Sequence, residues 1–90
     1  MAYDREEVWK RQFGADVTED KDACGTEVHY NATGNSDYAW EVDHIFPKEW
    51  LERLEVPEVM IDDPINLHVL QHSNNEAKGN DYPRNNWKRN

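Results

Sequence analysis

The most informative stretch of this 90-residue chain is Trp40-Glu41-Val42-Asp43-His44-Ile45-Phe46-Pro47. Its β-branched and aromatic residues favour a half-buried strand, and Pro47, which has no backbone N–H to donate, predicts where the strand stops. Because neighbouring strand residues point to opposite faces, Asp43 and His44 can reach one site only where the strand bends or ends. Catalytic groups often lie at such an end, although a lone Asp-His pair is also typical of an edge strand with a water-facing imidazole.

Two further segments follow downstream. Asn66-Leu67-His68-Val69-Leu70 opens a second apolar stretch, which predicts a strand over residues 66–71. Asn74-Asn75-Glu76-Ala77-Lys78-Gly79 predicts a short helix that Ser73 or Asn74 caps, that runs through Lys78 and that Gly79 ends. The predicted order is therefore strand, strand, helix.

Taken in this order, the segments resemble the HNH endonuclease family. The family pattern is Asp-His-Ile-x-Pro, then Asn-Leu, then a helix bearing His or Asn one turn before a Lys. The matching residues here are Asp43-His44-Ile45-Phe46-Pro47, Asn66-Leu67, and Asn75 with Lys78. The lead-in over residues 38–42 and the tail over residues 74–83 are similar to one bacterial and phage branch, so the resemblance covers residues 22–83. Several ordered elements at compatible spacing are far more specific than any one of them.

The resemblance implies a small α+β fold of the ββα-metal type, in which a β-hairpin is followed by a short helix. Ninety residues are too few for two independent cores, so we expect a single domain. We also expect a helical insert between the catalytic strands. One divalent metal ion, Mg²⁺ or Mn²⁺ (Zn²⁺ or Ni²⁺ in crystals), would bind the oxygen atoms of Asp43 and Asn75. His72, one turn before Asn75, is the rival ligand.

The resemblance also assigns roles to the remaining motif residues. His44 is the expected general base, which must be neutral to take a proton from water. Asn66 would hold the loop or the His44 backbone, and His68 could fill a similar supporting role without direct involvement. Lys78 would neutralise a phosphate charge, or complement the dipole at the helix C-terminus, or both. The alternative without a metal is that His44 is a core histidine hydrogen-bonded to Asp43.

The cysteine count bears on disulfide formation and on a structural zinc site. Cys24 is the only cysteine, which excludes an intrachain disulfide. Many HNH proteins carry a Cys-x-x-Cys knuckle at this position and a second one later, and together they bind a structural zinc ion. The second pair would lie at Gln71 and Asn74, which are not thiolates, so we expect no structural zinc and a small, buried Cys24.

The net charge of −9 opposes the basic character expected of a DNA-binding domain. Residues 14–63 hold fourteen acidic and three basic side chains, whereas residues 64–90 hold two acidic and four basic ones. A face that contacts the nucleic-acid backbone should therefore involve the following cations: Lys78, Arg84, Lys88 and Arg89, with Lys10 and Arg11 as possible additions. The acidic middle is either a solvated surface or a docking surface for a basic partner.

The other elements are predicted from local patterns. Asp4 is a suitable N-cap for a helix over residues 4–13, and Gly14 suits the position after its last turn. We expect a loop over residues 15–21, and a strand over residues 26–30 that pairs with residues 38–46 in a long hairpin. Residues 48–54 predict a short helix, residues 59–61 an apolar patch, and Asp62-Asp63 before Pro64 a turn. The basic tail, residues 84–90, either packs its tryptophan on the body or follows phosphates.

The leading functional hypothesis is a metal-dependent endonuclease that hydrolyses DNA phosphodiester bonds, as a monomer that nicks or with a second copy or partner. The alternative is a non-catalytic HNH scaffold whose acidic surface docks on another protein of a phage or defence assembly. An acidic DNA mimic ranks last because it leaves the motif residues unexplained. No apolar run suits a membrane span and the polar N-terminus does not resemble a signal peptide, so we expect the cytoplasm of a bacterial or phage-infected cell and no membrane partner.

Overall fold

The computed structural model describes residues 3–79, which form a small α+β fold with two antiparallel two-stranded sheets. The elements in chain order are helix α1 (Arg5–Phe13), strands β1 (Glu19–Lys21), β2 (Glu27–His29) and β3 (Trp40–His44), helices α2 (Lys48–Arg53) and α3 (Glu58–Ile61), a 3-10 helix (Pro64–Asn66), strand β4 (Leu67–Gln71) and helix α4 (His72–Lys78). The predicted α+β class is confirmed at this level. Within residues 3–79, no helix has the length and apolarity needed to cross a membrane.

Helix α1 forms where its capping residues predict it. The side chain of Asp4 accepts a hydrogen bond of 2.9 Å from the Glu6 N–H, which satisfies one of the free donors of the first turn. At the other end the Gly14 N–H donates to the Lys10 carbonyl, and its φ of 116° suits glycine. The helix buries Val8 and Trp9 against strands β3 and β4. It therefore covers one side of the sheet that carries the motif residues.

The first sheet corrects two predictions. Residues 19–21, expected in a loop, form β1, and β2 pairs with β1 in the register Glu19 to His29 rather than with residues 38–46. The cause is a tight turn between the two strands, in which Asp22 Oδ1 accepts hydrogen bonds of 2.9 Å from both the Cys24 and the Thr26 N–H groups. Closing this short turn costs less chain entropy than closing a loop across residues 31–37. Cys24 itself is half-buried, not buried as expected.

The second sheet pairs β3 with β4 in antiparallel register from Trp40 opposite Gln71 to His44 opposite Leu67. Helix α4 follows β4 directly and packs on both strands, so the predicted order of strand, strand and helix is present. The long connection between the strands, residues 45–66, holds α2, α3 and the 3-10 helix, which confirms a helical insert. The main core cluster lies between this sheet, α1 and β2; it comprises Val8, Trp9, Val28, Trp40, Leu67 and Val69.

Several element boundaries differ from the prediction: β2 spans only Glu27–His29, β3 begins at Trp40 and β4 begins at Leu67. Two further differences bear on the site. Strand β3 ends at His44 instead of continuing to Phe46, since the backbone beyond it bonds to Asn66, which belongs to the 3-10 helix and not to β4. Helix α4 begins at His72, and its N-cap is Gln71 rather than Ser73 or Asn74. The helix ends at Gly79, as predicted, with φ at 55°.

A buried polar network, here called the Asp22 network, closes the corner between β4 and α4. Asp22 Oδ2 accepts hydrogen bonds from the Gln71 N–H at 2.8 Å and from Asn74 Nδ2 at 3.0 Å. The same Asn74 amide donates to Thr26 Oγ1 at 2.9 Å, and Asn74 is fully buried. Gln71 and Asn74 are the two positions where the HNH resemblance would place a second thiolate pair. Hydrogen bonds from the first hairpin hold this corner.

Candidate active site

His44, the last residue of β3, lies beside a carboxylate that the sequence did not single out. Its Nε2 is 2.6 Å from Oδ1 of Asp62, the residue that follows α3. The His44 side chain is 19% exposed, whereas the Asp62 side chain is 6% exposed. The pair thus combines an imidazole that solvent reaches with a carboxylate that is nearly excluded from water. Such a carboxylate can orient the ring and stabilise its protonated form.

Asp43 forms a separate cluster with cations and donors from β4 and α4. Lys78 Nζ is 3.1 Å from Asp43 Oδ2 and 3.3 Å from Oδ1, and His68 Nε2 is 2.8 Å from Oδ2. The Lys78 side chain is only 1% exposed, and its ammonium also donates to the His44 carbonyl at 2.9 Å. This buried cluster ties α4 to the end of β3. It also puts the Lys78 ammonium inside the protein, away from the surface where a phosphate would bind.

Asn66 holds the backbone that leaves β3. Its Oδ1 accepts from the Phe46 N–H at 2.8 Å, and its Nδ2 donates to the carbonyls of Ile61 at 3.0 Å and Phe46 at 3.3 Å. The Ile45 N–H donates to the Asn66 carbonyl at 2.7 Å. The side chain is buried, so its polar atoms act within the protein. This is the supporting position that the sequence prediction gave to Asn66.

Asn75 and His72 point to other partners than Asp43. The Asn75 amide nitrogen donates to Glu41, and His72 forms an ion pair with Glu76 at 3.6 Å. His72 also lines a cavity of about 450 Å³ together with Glu41. Among residues 3–79, no hydrogen bond or ion pair joins Asn75 or His72 to Asp43. The structure thus pairs Asp43 with Lys78 and His68, whereas the Asn75 amide donates to Glu41.

This arrangement does not fit a divalent ion held by Asp43 and Asn75. Both oxygens of Asp43 already face the buried Lys78 ammonium, and a dication placed there would be repelled by it at short range. Within the described chain, one group brings three candidate ligands together, with ligand atoms within 4.8 Å of one another: Glu19, Glu27 and His29. That group is more exposed and lies on the first sheet. It could hold a metal ion, but it is not the predicted site.

One cation of α1, Arg11, lines a cavity close to the His44 site, together with the carboxylates of Asp4, Glu7 and Asp62. This cavity has a volume of about 280 Å³, and its lining includes Tyr3. The Tyr3 ring also meets the His44 ring edge-on, with centroids 6.1 Å apart. Arg11 is exposed. The other predicted contacts, Arg84, Lys88 and Arg89, lie outside the described residues.

Sequence reasoning missed Asp62 and undervalued His68. The Asp62-Asp63 pair was interpreted only as a turn, and Asp63 does cap the 3-10 helix, with its side chain accepting from the Ile65 N–H. The signal that could have identified Asp62 is the pairing of β3 with β4. Because His44 lies opposite Leu67, the residues just before β4 must return to the neighbourhood of His44. The same register sets His68 opposite Asp43, which makes their contact a cross-strand pair.

Comparison of the chain with protein-family models, curated proteins and solved structures finds no match. The resemblance to HNH endonucleases therefore rests on the motif residues and on the strand, strand and helix that carry them.

Proposed function

We propose that this protein is an endonuclease of the HNH type that hydrolyses phosphodiester bonds in DNA, with His44 as the general base. The observation that carries the proposal is the pair of a partly exposed His44 and a buried Asp62 at the end of β3. The motif order supports it, because the same strand end is followed by a second strand and by a helix bearing Lys78. The choice of DNA as substrate comes from the family resemblance.

The chemistry follows from which ring nitrogen faces the carboxylate. An ionised carboxylate only accepts hydrogen bonds, so Asp62 selects the tautomer with the proton on Nε2. His44 Nδ1 then carries the lone pair that takes a proton from water as the oxygen attacks phosphorus. The bond from phosphorus to the 3′ oxygen breaks, and the departing oxygen takes a proton from solvent. Asp62 stabilises the imidazolium that forms on His44.

The surrounding residues hold His44 in place. Lys78 binds the His44 carbonyl from α4, and Asn66 binds the backbone of Phe46 from the 3-10 helix. Two separate elements therefore fix the backbone at His44 and immediately after it, which reduces the reorganisation needed for attack. We assign Lys78 to this positioning role and not to phosphate binding, since its ammonium is buried.

The family resemblance implies a divalent ion on Asp43 and Asn75, which when bound would polarise the phosphate. The described arrangement does not fit that ion, and no step above passes through it. The dependence of activity on Mg²⁺ or Mn²⁺ is a prediction that the assay below measures. Contacts to DNA would be mainly to phosphates, so we expect low sequence specificity.

A second candidate function is a binding module without catalysis. The observation that favours it is the Asp43 cluster, in which the predicted metal ligand is neutralised by Lys78 inside the protein. The net charge of −9 points in the same direction, because it opposes binding to a polyanion.

The deciding experiment is cleavage of supercoiled plasmid with Mg²⁺, Mn²⁺ or EDTA by the wild type, His44→Ala and His29→Ala. His29 is the comparison histidine: it lies on the first sheet, outside the His44 site, and it belongs to the group that could hold a metal ion, so unchanged nicking by His29→Ala would also show that this group supplies no catalytic metal. We expect wild type and His29→Ala to nick the plasmid, and His44→Ala to be slower by about 100-fold or more. Equal cleavage by His44→Ala would refute the assignment of the base. Absence of cleavage with every metal, by a folded wild-type protein, would favour the binding module.

A further inference from the structure

The connection between β3 and β4 exposes an unusual share of the large hydrophobic side chains. Seven such side chains are exposed among residues 3–79, and six of them fall within residues 45–66. Leu54, Val59 and Ile65 are 73%, 75% and 81% exposed. We call the exposed apolar and acidic side chains of this connection the insert surface; its apolar members are Phe46, Trp50, Leu54, Val59, Met60 and Ile65.

The packing of the rest of the protein does not account for the two helices that carry this surface. Helix α2 has six residues and none of them is buried, and α3 buries only Ile61. Helices this short gain their stability in proteins from packing of an apolar face. The two helices contact each other, but their outward apolar side chains remain in water. Concentrated exposure of this kind marks an interaction site.

The same connection is strongly acidic. Its exposed charges are five carboxylates and two cations: Glu49, Glu52, Glu55, Glu58 and Asp63 against Lys48 and Arg53. Glu55 also adopts a φ of 60°, a left-handed conformation that favours glycine, at the turn that ends α2. The chain thus carries a carboxylate at a position where a residue without a side chain would be less strained.

We propose that the insert surface docks a basic amphipathic segment of another protein, with leucine-like side chains on one face and lysine or arginine beside them. Apolar contacts would supply the affinity, and the five exposed carboxylates would select a cationic partner and speed its approach. The inference is independent of nuclease activity, because none of the surface residues takes part in the proposed chemistry of His44.

The negative charge of the insert surface favours a cationic segment over a second copy of the chain, nucleic acid or anionic lipid. A second copy of the chain would bring the same five carboxylates into the interface, and like charges placed opposite each other are destabilising. Nucleic acid and anionic lipid would be repelled for the same reason. A cationic amphipathic segment satisfies both the apolar and the acidic members of the surface.

The test uses the full chain and a synthetic helical peptide with leucine on one face and lysine on the other. A peptide with glutamate in place of lysine is the control ligand. Binding is measured by calorimetry at two salt concentrations, and the contacted residues are located from backbone amide shifts by NMR. We expect binding of the lysine peptide only, weakening with salt, with the largest shifts in residues 45–66.

Two pairs of variants separate specific docking from general attraction. Val59→Ser with Met60→Ser should weaken binding about tenfold or more, whereas Tyr38→Ser, which removes an exposed ring elsewhere, should not. Glu55→Gly with Glu58→Gln should weaken binding about threefold to tenfold at low salt, and the control with the same charge change, Glu7→Gln with Asp16→Asn, by less than about twofold.

Three results would overturn the proposal. The first is no binding of the lysine peptide at low salt by the folded protein. The second is equal weakening by the insert variants and their controls, which would mean attraction to net charge alone. The third is a dimer in analytical ultracentrifugation that Val59→Ser with Met60→Ser dissociates, which would make a second copy the occupant.

Discussion

Replacing Asp62 by asparagine tests the proposed chemistry at the residue that only the structure revealed. The substitution keeps the shape of the side chain but removes the charge that faces His44 Nε2 at 2.6 Å. Asparagine can also donate to that nitrogen, which would place the proton on Nδ1 and remove the proposed base. The variant therefore removes the charge that stabilises the imidazolium and also changes the tautomer of His44 in the free enzyme.

The magnitude can be worked from the contact. A hydrogen bond to a charged group contributes about 1.5–3 kcal/mol, and the low exposure of Asp62 limits screening by water. Loss of that amount from the transition state corresponds to a fall in cleavage rate of about 10- to 150-fold. The matched control is Asp63→Asn, because Asp63 is exposed, does not contact His44, and caps the 3-10 helix in a way that asparagine can replace.

The assay has two readouts. Plasmid cleavage gives the rate, and the ¹⁵N shifts of the His44 ring report which nitrogen carries the proton. We expect Asp62→Asn to slow cleavage and to change the tautomer signature, with thermal unfolding close to that of the wild type, and Asp63→Asn to change neither rate nor signature. The reasoning is refuted if folded Asp62→Asn cleaves within twofold of the wild type while the ring keeps its proton on Nε2.

Three further substitutions test the residues that hold the site. Lys78→Met removes the ammonium beside the buried Asp43 and leaves His68 as its partner, so urea unfolding should show a loss of about 3 kcal/mol; a loss comparable to that of an exposed lysine would contradict the buried pair. Asn66→Ala removes three hydrogen bonds and should cost about 2–4 kcal/mol by the same measurement, with a midpoint near wild type as the contrary result. Asp22→Ala should cost about 2–4 kcal/mol, and a double-mutant cycle with Asn74→Ala should show coupling between the two sites, whereas additive losses would separate them.

Local signals predicted the elements that surround the site. The capping side chain of Asp4 and the glycine at residue 14 act within one turn of α1, so the sequence alone locates that helix. The β-branched and aromatic residues from Trp40 locate β3 for the same reason, because their strand preference is a local property. Gly79 likewise marks the end of α4.

The contacts that sequence reasoning missed depend on tertiary pairing. Strand β1 has three exposed residues and no apolar alternation, so nothing in its own sequence indicates a strand. The partnership of His44 with Asp62 joins residues eighteen positions apart, and it exists because the 3-10 helix returns the chain to the end of β3. Lys78 was predicted to neutralise a phosphate charge or to complement the dipole of its helix; lysine is rarely buried, and the position of Asp43 opposite α4 explains why this one is.

The Asp22 network affects how an experiment with a chelator such as EDTA is interpreted for this protein. Its closing side chains are carboxylate, amide and hydroxyl groups, which bind one another without a metal bridge and have no thiolate to oxidise. In a domain whose corner is closed by zinc, EDTA removes fold and activity together. Here the corner should survive the same treatment, so a loss of cleavage in EDTA at an unchanged unfolding midpoint would show a metal requirement of the reaction and not of the fold.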